Sequence, residues 1–209
     1  MARSASSFDR AKPRFRPQPR TLVLCEDSKS CLLYLKDAAQ HFRSYAEIEV
    51  ANCGKTDPKG IVTEAVNLKR RQKFDDVICV IDRDSHHGFQ EALELAAQNL
   101  VGVVASYPCY EFWLLLHFRK TRAPYMPAGD HSAAERVSRS LRQESGMDKY
   151  EKGAAKGLFV SLLDRLPDAR TRSMQVLTEA LADGEMNPST RLHELIEAFE
   201  ALGKLQPLT

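Results

Sequence analysis

Two stretches of the sequence decide the fold: TLVLCE at residues 21–26 and VICVIDRD at residues 77–84. Each is an apolar run of strand length that ends in carboxylates, Glu26 in the first and Asp82 and Asp84 in the second. An unbroken apolar run is typical of a parallel strand that helices cover on both faces. Because parallel strands end at one edge, where open α/β folds place ligands, we expect the three carboxylates to meet there.

Three carboxylates at one edge repel one another at neutral pH unless a proton or a divalent cation compensates their charge. Ligation by oxygen atoms alone suits Mg²⁺ or Mn²⁺ far better than zinc. Asp82 and Asp84 share a face of an extended segment, so they can bind one metal together or one each of a pair. Acidic loops after strands are common. The prediction of an Mg²⁺ (or Mn²⁺) site therefore depends on Glu26, which ends a separate strand at the same edge.

From residue 21 to about residue 125, strand-like runs alternate with helical patterns, which predicts an α/β domain with a parallel sheet of about four strands and flanking helices. The strands are expected at residues 21–25, 48–51, 77–81 and 102–106. The third is apolar throughout and should be central. Ser28 or Ser30 can cap the first helix, and Asp57-Pro58 is typical of the start of the second.

Helical patterns alone fill residues 126–209, which we expect to form a helical C-terminal extension packed on the α/β domain. Asp130 or Ser132 can cap a helix in this part. The exposed side of that helix carries three arginines, roughly in line: Arg136, Arg139 and Arg142. They are candidate contacts for the phosphates of a nucleic acid. Asn187-Pro188 is expected at the start of the last helix.

The first twenty residues carry six basic residues and one acidic residue, so the rest of the chain is net negative although the total is +2. Three prolines exclude a continuous helix, and we predict a disordered basic tail over residues 1–20. The tail is either a cationic arm for nucleic acid, with Arg14 and Arg16 as contacts, or a solvated segment with no partner. Phe15 offers a stacking face, which favours a partner.

The composition limits the class of protein. A chain of 209 residues that is 43% hydrophobic can build one good-sized core, or one core with a helical appendage. Apolar stretches stay below the roughly 18 residues that a membrane span needs, and the beginning of the chain shows no apolar leader. Five scattered cysteines are typical of reduced thiols packed as small hydrophobes. We therefore expect a cytoplasmic protein with no membrane partner.

Motifs spread over nearly all of the chain after the tail resemble those of the RloB family. They are Cys25-Glu26 and Lys29, Gly54-Lys55 before Asp57-Pro58, Asp82-Arg83-Asp84, PCYEFWLLLHF at residues 108–118, and Asn187-Pro188-Ser189-Thr190. The long ordered run at residues 108–118 is the most specific of them. The resemblance implies a bacterial protein of restriction-linked loci and abortive infection of phage, of the AbiL type, often beside an ATPase of the ABC or AAA type.

The strand-end glutamate with Asp-x-Asp also resembles the Toprim fold of topoisomerases, primases and OLD-type nucleases. That resemblance implies acid/base work for Glu26 and metal binding for Asp82 and Asp84, and Glu26 can also complete the metal shell. Lys29 and Glu111 join Glu26 in the expected catalytic set. The first loop departs from the family pattern, because EDSKSC at residues 26–31 stands where Glu-Gly-Glu-Lys-Thr-Glu is usual. Without that glycine the backbone cannot approach a phosphate as closely.

Three further candidates each have a plain structural alternative. CGKT at residues 53–56 lacks the upstream glycine of a phosphate-binding loop, so Lys55 is interpreted as an exposed cation that can reach the carboxylate edge and a nucleic acid. His86-His87 can add a metal ligand beside Asp84, although adjacent loop histidines are more often simply exposed. Glu111 is either a further ligand at this edge or a charge favoured at a helix start.

Two functions are compatible with these features. The first is a Toprim-like, metal-dependent phosphodiester nuclease that acts on DNA or RNA in defence against phage, controlled by a partner ATPase. The second is a non-catalytic module that binds nucleic acid or the ATPase and keeps the acidic edge for structural reasons. The altered first loop favours the second function, and the presence of all three core acids favours the first.

Overall fold

A mostly parallel sheet forms the centre of the molecule, and the computed structural model describes residues 19–44, 48–72, 74–83, 88–153 and 156–204. The sheet has the order β2-β1-β3-β4-β5. Its strands are β1 (Thr21–Cys25), β2 (Ile48–Asn52), β3 (Asp76–Asp82), β4 (Gly102–Tyr107) and β5 (Ser189–Thr190). The first four are parallel, and β5 pairs antiparallel with β4. The predicted α/β sheet with a central third strand is confirmed.

Helices connect the parallel strands and form the C-terminal part. Those of the described residues are α1 (Ser30–His41), α2 (Pro58–Gln72), α3 (Phe89–Gln98), α4 (Glu111–Leu116), α5 (Ala133–Leu141), α6 (Leu158–Ser161), α7 (Leu166–Asp183) and α8 (Leu192–Leu202), with a 3₁₀ turn at Leu163–Arg165. Each of the first three crosses from one parallel strand to the next, as parallel pairing requires.

The two faces of the sheet bury different layers, because alternate residues of a strand point to opposite sides. Leu22 and Leu24 of β1 pack with residues of α2 and α3 on one face. Val23 and Cys25 belong to a larger cluster on the other face, formed with α1, α4 and the helices after residue 126. The C-terminal helices therefore share a hydrophobic core with the sheet.

Side-chain caps mark the starts of α2 and α5. Asp57 and Ser132 each accept a backbone N–H from the first turn of α2 and α5, as the sequence predicted. The expectation for α1 was wrong. The carboxylate of Asp27, rather than a serine hydroxyl, accepts the N–H groups of Lys29 and Cys31 at 2.8 Å each. An aspartate before a helix has the same capping chemistry as serine, so sequence alone could not choose between them.

The strand β5 was not predicted, and Asn187-Pro188 precedes it instead of opening the last helix, which begins at Leu192. Two residues are too few for a periodic pattern to reveal a strand. Buried polar contacts hold it in place, since the hydroxyls of Ser106 and Thr190 are 2.8 Å apart and Ser173 Oγ donates to Thr190 O at 3.1 Å.

Three further expectations concern the basic tail, membrane-spanning helices and the cysteines. Of the predicted basic tail, residues 1–18 lie outside the described residues. Arg20 is described, and its guanidinium lies 5.0 Å from the centre of the Phe74 ring. Within the described ranges, no helix is both long and apolar enough to cross a membrane. All five cysteines are free thiols.

A buried hydrogen-bond network explains much of the specific run at residues 108–118. Trp113 Nε1 donates to the hydroxyl of Tyr34 at 2.9 Å, and that hydroxyl lies 3.3 Å from His117 Nε2. His117 Nδ1 is 3.1 Å from the carbonyl oxygen of Trp113. All three side chains are buried. The network joins α1 to α4, so Trp113 and His117 hold in place the helix whose first residue is Glu111.

The buried imidazole predicts an acid-sensitive fold. Burial lowers the pKa of His117 from 6.5 to about 4. The folded protein holds this histidine neutral, whereas the unfolded chain protonates it below about pH 6.5. The stabilisation of the folded state by neutral His117 is therefore complete above that pH and is lost as the pH falls toward 4. Between pH 7 and 4.5 the wild type should lose on the order of 2 kcal/mol more unfolding free energy than His117→Gln. Urea unfolding at both pH values measures the difference. An identical pH dependence in the two proteins would contradict it.

Candidate functional site

The two predicted strand ends lie side by side. Glu26 N donates to the carbonyl oxygen of Val80 at 3.0 Å, which continues the parallel pairing of β1 with β3 for one more residue. Asp82 N then donates to Glu26 Oε2 at 2.9 Å. The Asn52 amide donates to the carbonyl oxygens of Cys25 and Glu26 at 2.8 Å each, which fixes the backbone at this turn. The structure therefore brings Glu26 and Asp82 together, while Asp84 lies outside the described residues.

Glu111 is the third carboxylate of this edge. It opens α4 four residues after the end of β4, and it is only 2% exposed. Its Oε1 accepts a hydrogen bond from the Tyr150 hydroxyl at 3.2 Å and lies 3.3 Å from Lys152 Nζ. Its Oε2 is also buried and has no hydrogen-bond partner within the described part of the chain. A buried acceptor without a partner is costly, and such atoms are found where a site takes a ligand or an ion.

These groups line one pocket of about 320 Å³. The described residues around it are Glu26, Asp27, Ser28, Thr56, Asp82, Cys109, Tyr110, Glu111, Ala134 and Lys152. Four of them are acidic, and among these lining residues Lys152 alone is basic. The pocket therefore has a surplus of negative charge, which attracts cations.

The charges of the pocket act on one another. Burial raises the pKa of Asp82 well above its usual value, and the neighbouring charges of Glu111 and Glu26 raise it further. Lys152 and a hydrogen bond from the Tyr110 backbone oppose this shift. For Lys152, burial is the largest single influence and acts against the charged form, but Glu111, Cys109 and Asp82 together outweigh it and the pKa is raised. A cation beside these carboxylates is therefore strongly favoured.

The first loop uses its polar groups mainly for structure. The two carboxylate oxygens of Asp27 accept the backbone N–H groups of Lys29, just before α1, and of Cys31 in its first turn, so this acid lines the pocket but also caps the start of the helix. Lys29 is exposed and is not one of the residues that line the pocket. Its stem packs against Gly153, where an added Cβ would lie 3.2 Å from Lys29 Cδ. The structure therefore places Lys29 at the rim, beside the loop that carries Lys152.

The predicted nucleic-acid contacts are spread over the surface. Lys55 is exposed and precedes Thr56, which lines the pocket. Each arginine of the α5 row has a partner in its own chain: Arg136 donates to Met126 O at 2.6 Å, Arg139 lies 2.7 Å from His131 Nε2, and Arg142 donates to Tyr150 O at 3.1 Å. These contacts compete with any phosphate. Arg14, Arg16, His86 and His87 lie outside the described residues.

Sequence reasoning missed Tyr150 and Lys152, whose side chains both contact Glu111. In the sequence they belong to a glycine-containing loop about forty residues after Glu111, with no motif around them. Their role depends on how the helical extension folds back over the first loop. A basic and an aromatic residue in a loop of this kind give no signal that local periodicity can detect.

The acidic pocket is not by itself a complete metal centre. Among the residues that the structure describes, no group of three or more His, Cys, Asp or Glu side chains is arranged to hold a metal ion. Glu26 and Asp82 adjoin, and Glu111 is held by Lys152 and Tyr150.

The chain is an α/β protein with an open, mostly parallel sheet. Its acidic pocket lies at the carboxyl ends of the strands, which is where such folds bind their ligands. The family model described as "RloB-like protein" matches residues 21–199. The chain therefore belongs to the RloB-like family, which confirms the resemblance seen in its motifs. A search of curated proteins and a search of solved structures found no match.

Proposed function

We propose that this RloB-like protein is a metal-dependent phosphodiester nuclease, acting on DNA or RNA in bacterial defence against phage. One observation carries the proposal. Glu26 and Asp82, from two independent strands, adjoin at the carboxyl edge of the sheet, in a pocket that Glu111 also lines. Glu111 itself has a buried oxygen, Oε2, without a hydrogen-bond partner among the described residues. Carboxylates that converge in a cleft, with a raised pKa at one of them, are a recurrent sign of a catalytic site.

The donor atoms of the pocket fit a hard divalent cation, since they are carboxylate oxygens and one of them lacks a partner among the described residues. Glu26, Asp82 and Asp84 would hold Mg²⁺ or Mn²⁺ at the strand ends. The cation supplies charge neutralisation of the phosphodiester and a bound water of lowered pKa. Zinc is disfavoured, because the described lining residues include a single thiol, that of Cys109, and no histidine.

The protein's own residues have distinct tasks in this reaction. The hydrogen bond from Asp82 N orients the carboxylate of Glu26, which accepts or returns the proton of the attacking or leaving oxygen, or completes the metal shell. Glu111 and Lys29 are the other members of the proposed catalytic set. Lys29 would act from the rim of the pocket, on substrate phosphates that lie outside it.

The substrate is an anion and the pocket is acidic, so basic groups outside the pocket must contribute to binding. Arg14 and Arg16 of the tail, with Lys55 beside the pocket, are the proposed contacts. The α5 row is a weaker candidate, because Arg136, Arg139 and Arg142 already contact their own chain.

The biological setting comes from the resemblance to restriction-linked and abortive-infection proteins of the AbiL type. It implies control by an ATPase of the ABC or AAA type, and the five free thiols favour the cytoplasm as its location. The altered first loop supports a second candidate function, a non-catalytic module that binds nucleic acid or the ATPase. In this loop Asp27 is committed to capping α1, and the glycine that allows close approach of a phosphate is missing.

Asp82→Asn and Asp84→Asn separate the two functions. Each removes a negative charge at nearly constant volume, so cation binding and cleavage should be abolished while nucleic-acid affinity stays within about twofold. Without metal, Asp82→Asn should be at least as stable as the wild type, because carboxylate repulsion falls. Plasmid, single-stranded DNA and tRNA are incubated with Mg²⁺ or Mn²⁺, with and without the ATPase.

The matched control is Asp76→Asn, which changes an exposed aspartate at the opposite end of the same strand. It should cleave like the wild type. Full cleavage and full phage protection by both Asp82→Asn and Asp84→Asn, at normal expression, would reject the nuclease and leave the binding module.

The basic tail predicts a salt-dependent affinity. Deleting residues 2–18 keeps Arg20, which contacts Phe74 and Asp75, and should flatten the plot of log affinity against log salt by about 0.9 for each duplex phosphate that the tail neutralises. Arg14→Gln with Arg16→Gln should reproduce part of that change. Fluorescence anisotropy over a salt series measures the slopes. Superimposable slopes for the full-length and shortened proteins would show that the tail has another role.

A further inference from the structure

A second pocket, here called the aromatic pocket, lies on the sheet face that packs against α3. Its volume is about 250 Å³, and apolar side chains of α3, β4 and α7 form most of its wall. The polar groups among its described lining residues are Ser189, Arg191 and the hydroxyl of Tyr107. A cavity of roughly 150 Å³ is enough to bind benzene, so this pocket has room for one flat ring system.

Two aromatic rings give the pocket a surface for a flat ligand. The ring centroids of Phe89 and Tyr107 are 5.9 Å apart, and the rings are nearly perpendicular, at 78°. Phe89 is buried and has the Arg83 guanidinium over its ring at 4.9 Å, whereas Tyr107 is only partly buried. A planar ligand can therefore stack on Tyr107 while it contacts Phe89.

The side chain of Ser189 adds a hydroxyl that lacks a hydrogen-bond partner. Ser189 of β5 is the direct partner of Tyr107 in the antiparallel register, and residues opposite each other in such a pair share one face of the sheet. Ser189 therefore faces the aromatic pocket, which it lines. It is fully buried, and its Oγ has no partner among the described residues. A buried hydroxyl without a partner is costly, which indicates a ligand that bonds to it.

Positive charge lies close to the ring of Tyr107. Burial raises the pKa of Tyr107, and the charges of Arg83 and Arg191 oppose that shift, so both guanidinium groups act on this residue. Arg191 Nη1 contacts Glu194 Oε1 at 3.0 Å, but this pair is half-exposed and therefore weak. A ligand that joins a flat ring to negative charge matches these groups.

The aromatic pocket and the acidic pocket lie at the same edge of the sheet. Asp82 pairs with Ser106 in the parallel register, and Tyr107 is the next residue of β4. Tyr107 packs with the same core as Ile81, so Asp82, one residue after Ile81, points to the other face. A strand of nucleic acid that crosses this edge can therefore reach both pockets.

We propose that the aromatic pocket holds one unpaired base of the nucleic-acid substrate, stacked on Tyr107 and hydrogen-bonded to Ser189, with a neighbouring phosphate on Arg191. The same strand then crosses the carboxyl edge of the sheet toward the acidic pocket. A paired base cannot enter, so the inference assigns single-stranded regions as the substrate class. It rests on the proposed nuclease function and specifies its substrate.

Two strands of equal charge isolate the contribution of the base. In EDTA, so that no cleavage occurs, fluorescence anisotropy compares a single-stranded oligonucleotide with a wholly abasic strand of the same length. Because a base gains by stacking on an aromatic side chain, the wild type should bind the base-bearing strand on the order of tenfold more tightly. Tyr107→Leu keeps an apolar side chain and should reduce this preference to about twofold, whereas Tyr107→Phe should retain it.

Two further variants separate the remaining contacts. Ser189→Ala should weaken binding of the base-bearing strand about fivefold and leave the abasic strand unchanged, because it removes one hydrogen bond to the base. Arg191→Gln should weaken both strands equally, because it removes a phosphate contact. The matched control is Arg165→Gln, which removes a guanidinium that lies 4.6 Å from the centre of the Phe118 ring, at the opposite end of α7. It should bind both strands like the wild type, and melting temperatures check that each variant is folded.

The outcomes separate the base pocket from the nuclease. Equal affinity of the wild type for the two strands, or an undiminished preference in folded Tyr107→Leu, would overturn the base pocket even if the wild type cleaves with Mg²⁺ or Mn²⁺. If Tyr107→Leu does not fold, an unchanged preference in Ser189→Ala overturns it instead. Free mononucleotides that bind as tightly as the strand would also overturn it, in favour of a small-molecule site. A preference that depends on Tyr107, without cleavage of any substrate, supports the pocket and rejects the nuclease.

Discussion

The parallel pairing of β1 with β3 is the constraint on which the site depends. Its register brings Glu26 N to the carbonyl oxygen of Val80, and the Glu26 carboxylate then accepts the N–H of Asp82. A slip of either strand by one residue would turn the acid of that strand to the other face of the sheet and separate the pair. Burial of the strands on both faces prevents such a slip, because Leu22 and Val23 belong to different cores.

Helix α4 links the stability of the fold to the chemistry of the pocket. Its apolar residues fill the larger core. Its Trp113, and His117 directly after its last residue, contact the hydroxyl of Tyr34 in α1. Its first residue, Glu111, lies in the pocket. Because the body of the helix is buried, Glu111 has little freedom to move, which keeps its charge close to Asp82.

Much of this arrangement could be predicted from local patterns. Apolar runs located the four parallel strands, and the order of carboxylates after them predicted the shared edge of Glu26 and Asp82. The long run at residues 108–118 indicated the family, although its Trp113 and His117 have structural roles. The contacts of Tyr150 and Lys152 could not be predicted, because they join residues about forty positions apart through a loop whose path depends on tertiary packing. For Arg136, Arg139 and Arg142, the sequence predicted the position but not the contacts. Their spacing predicted an exposed row, but their contacts with Met126, His131 and Tyr150 depend on neighbouring loops.

The central claim is that this acidic edge binds a divalent cation. A crystal of the full-length protein soaked in Mn²⁺, with data collected at the manganese absorption edge, tests it most directly. The account predicts an anomalous peak at coordination distance from the carboxylates of Glu26 and Asp82. Well-ordered density for both carboxylates with no anomalous peak between them would contradict it.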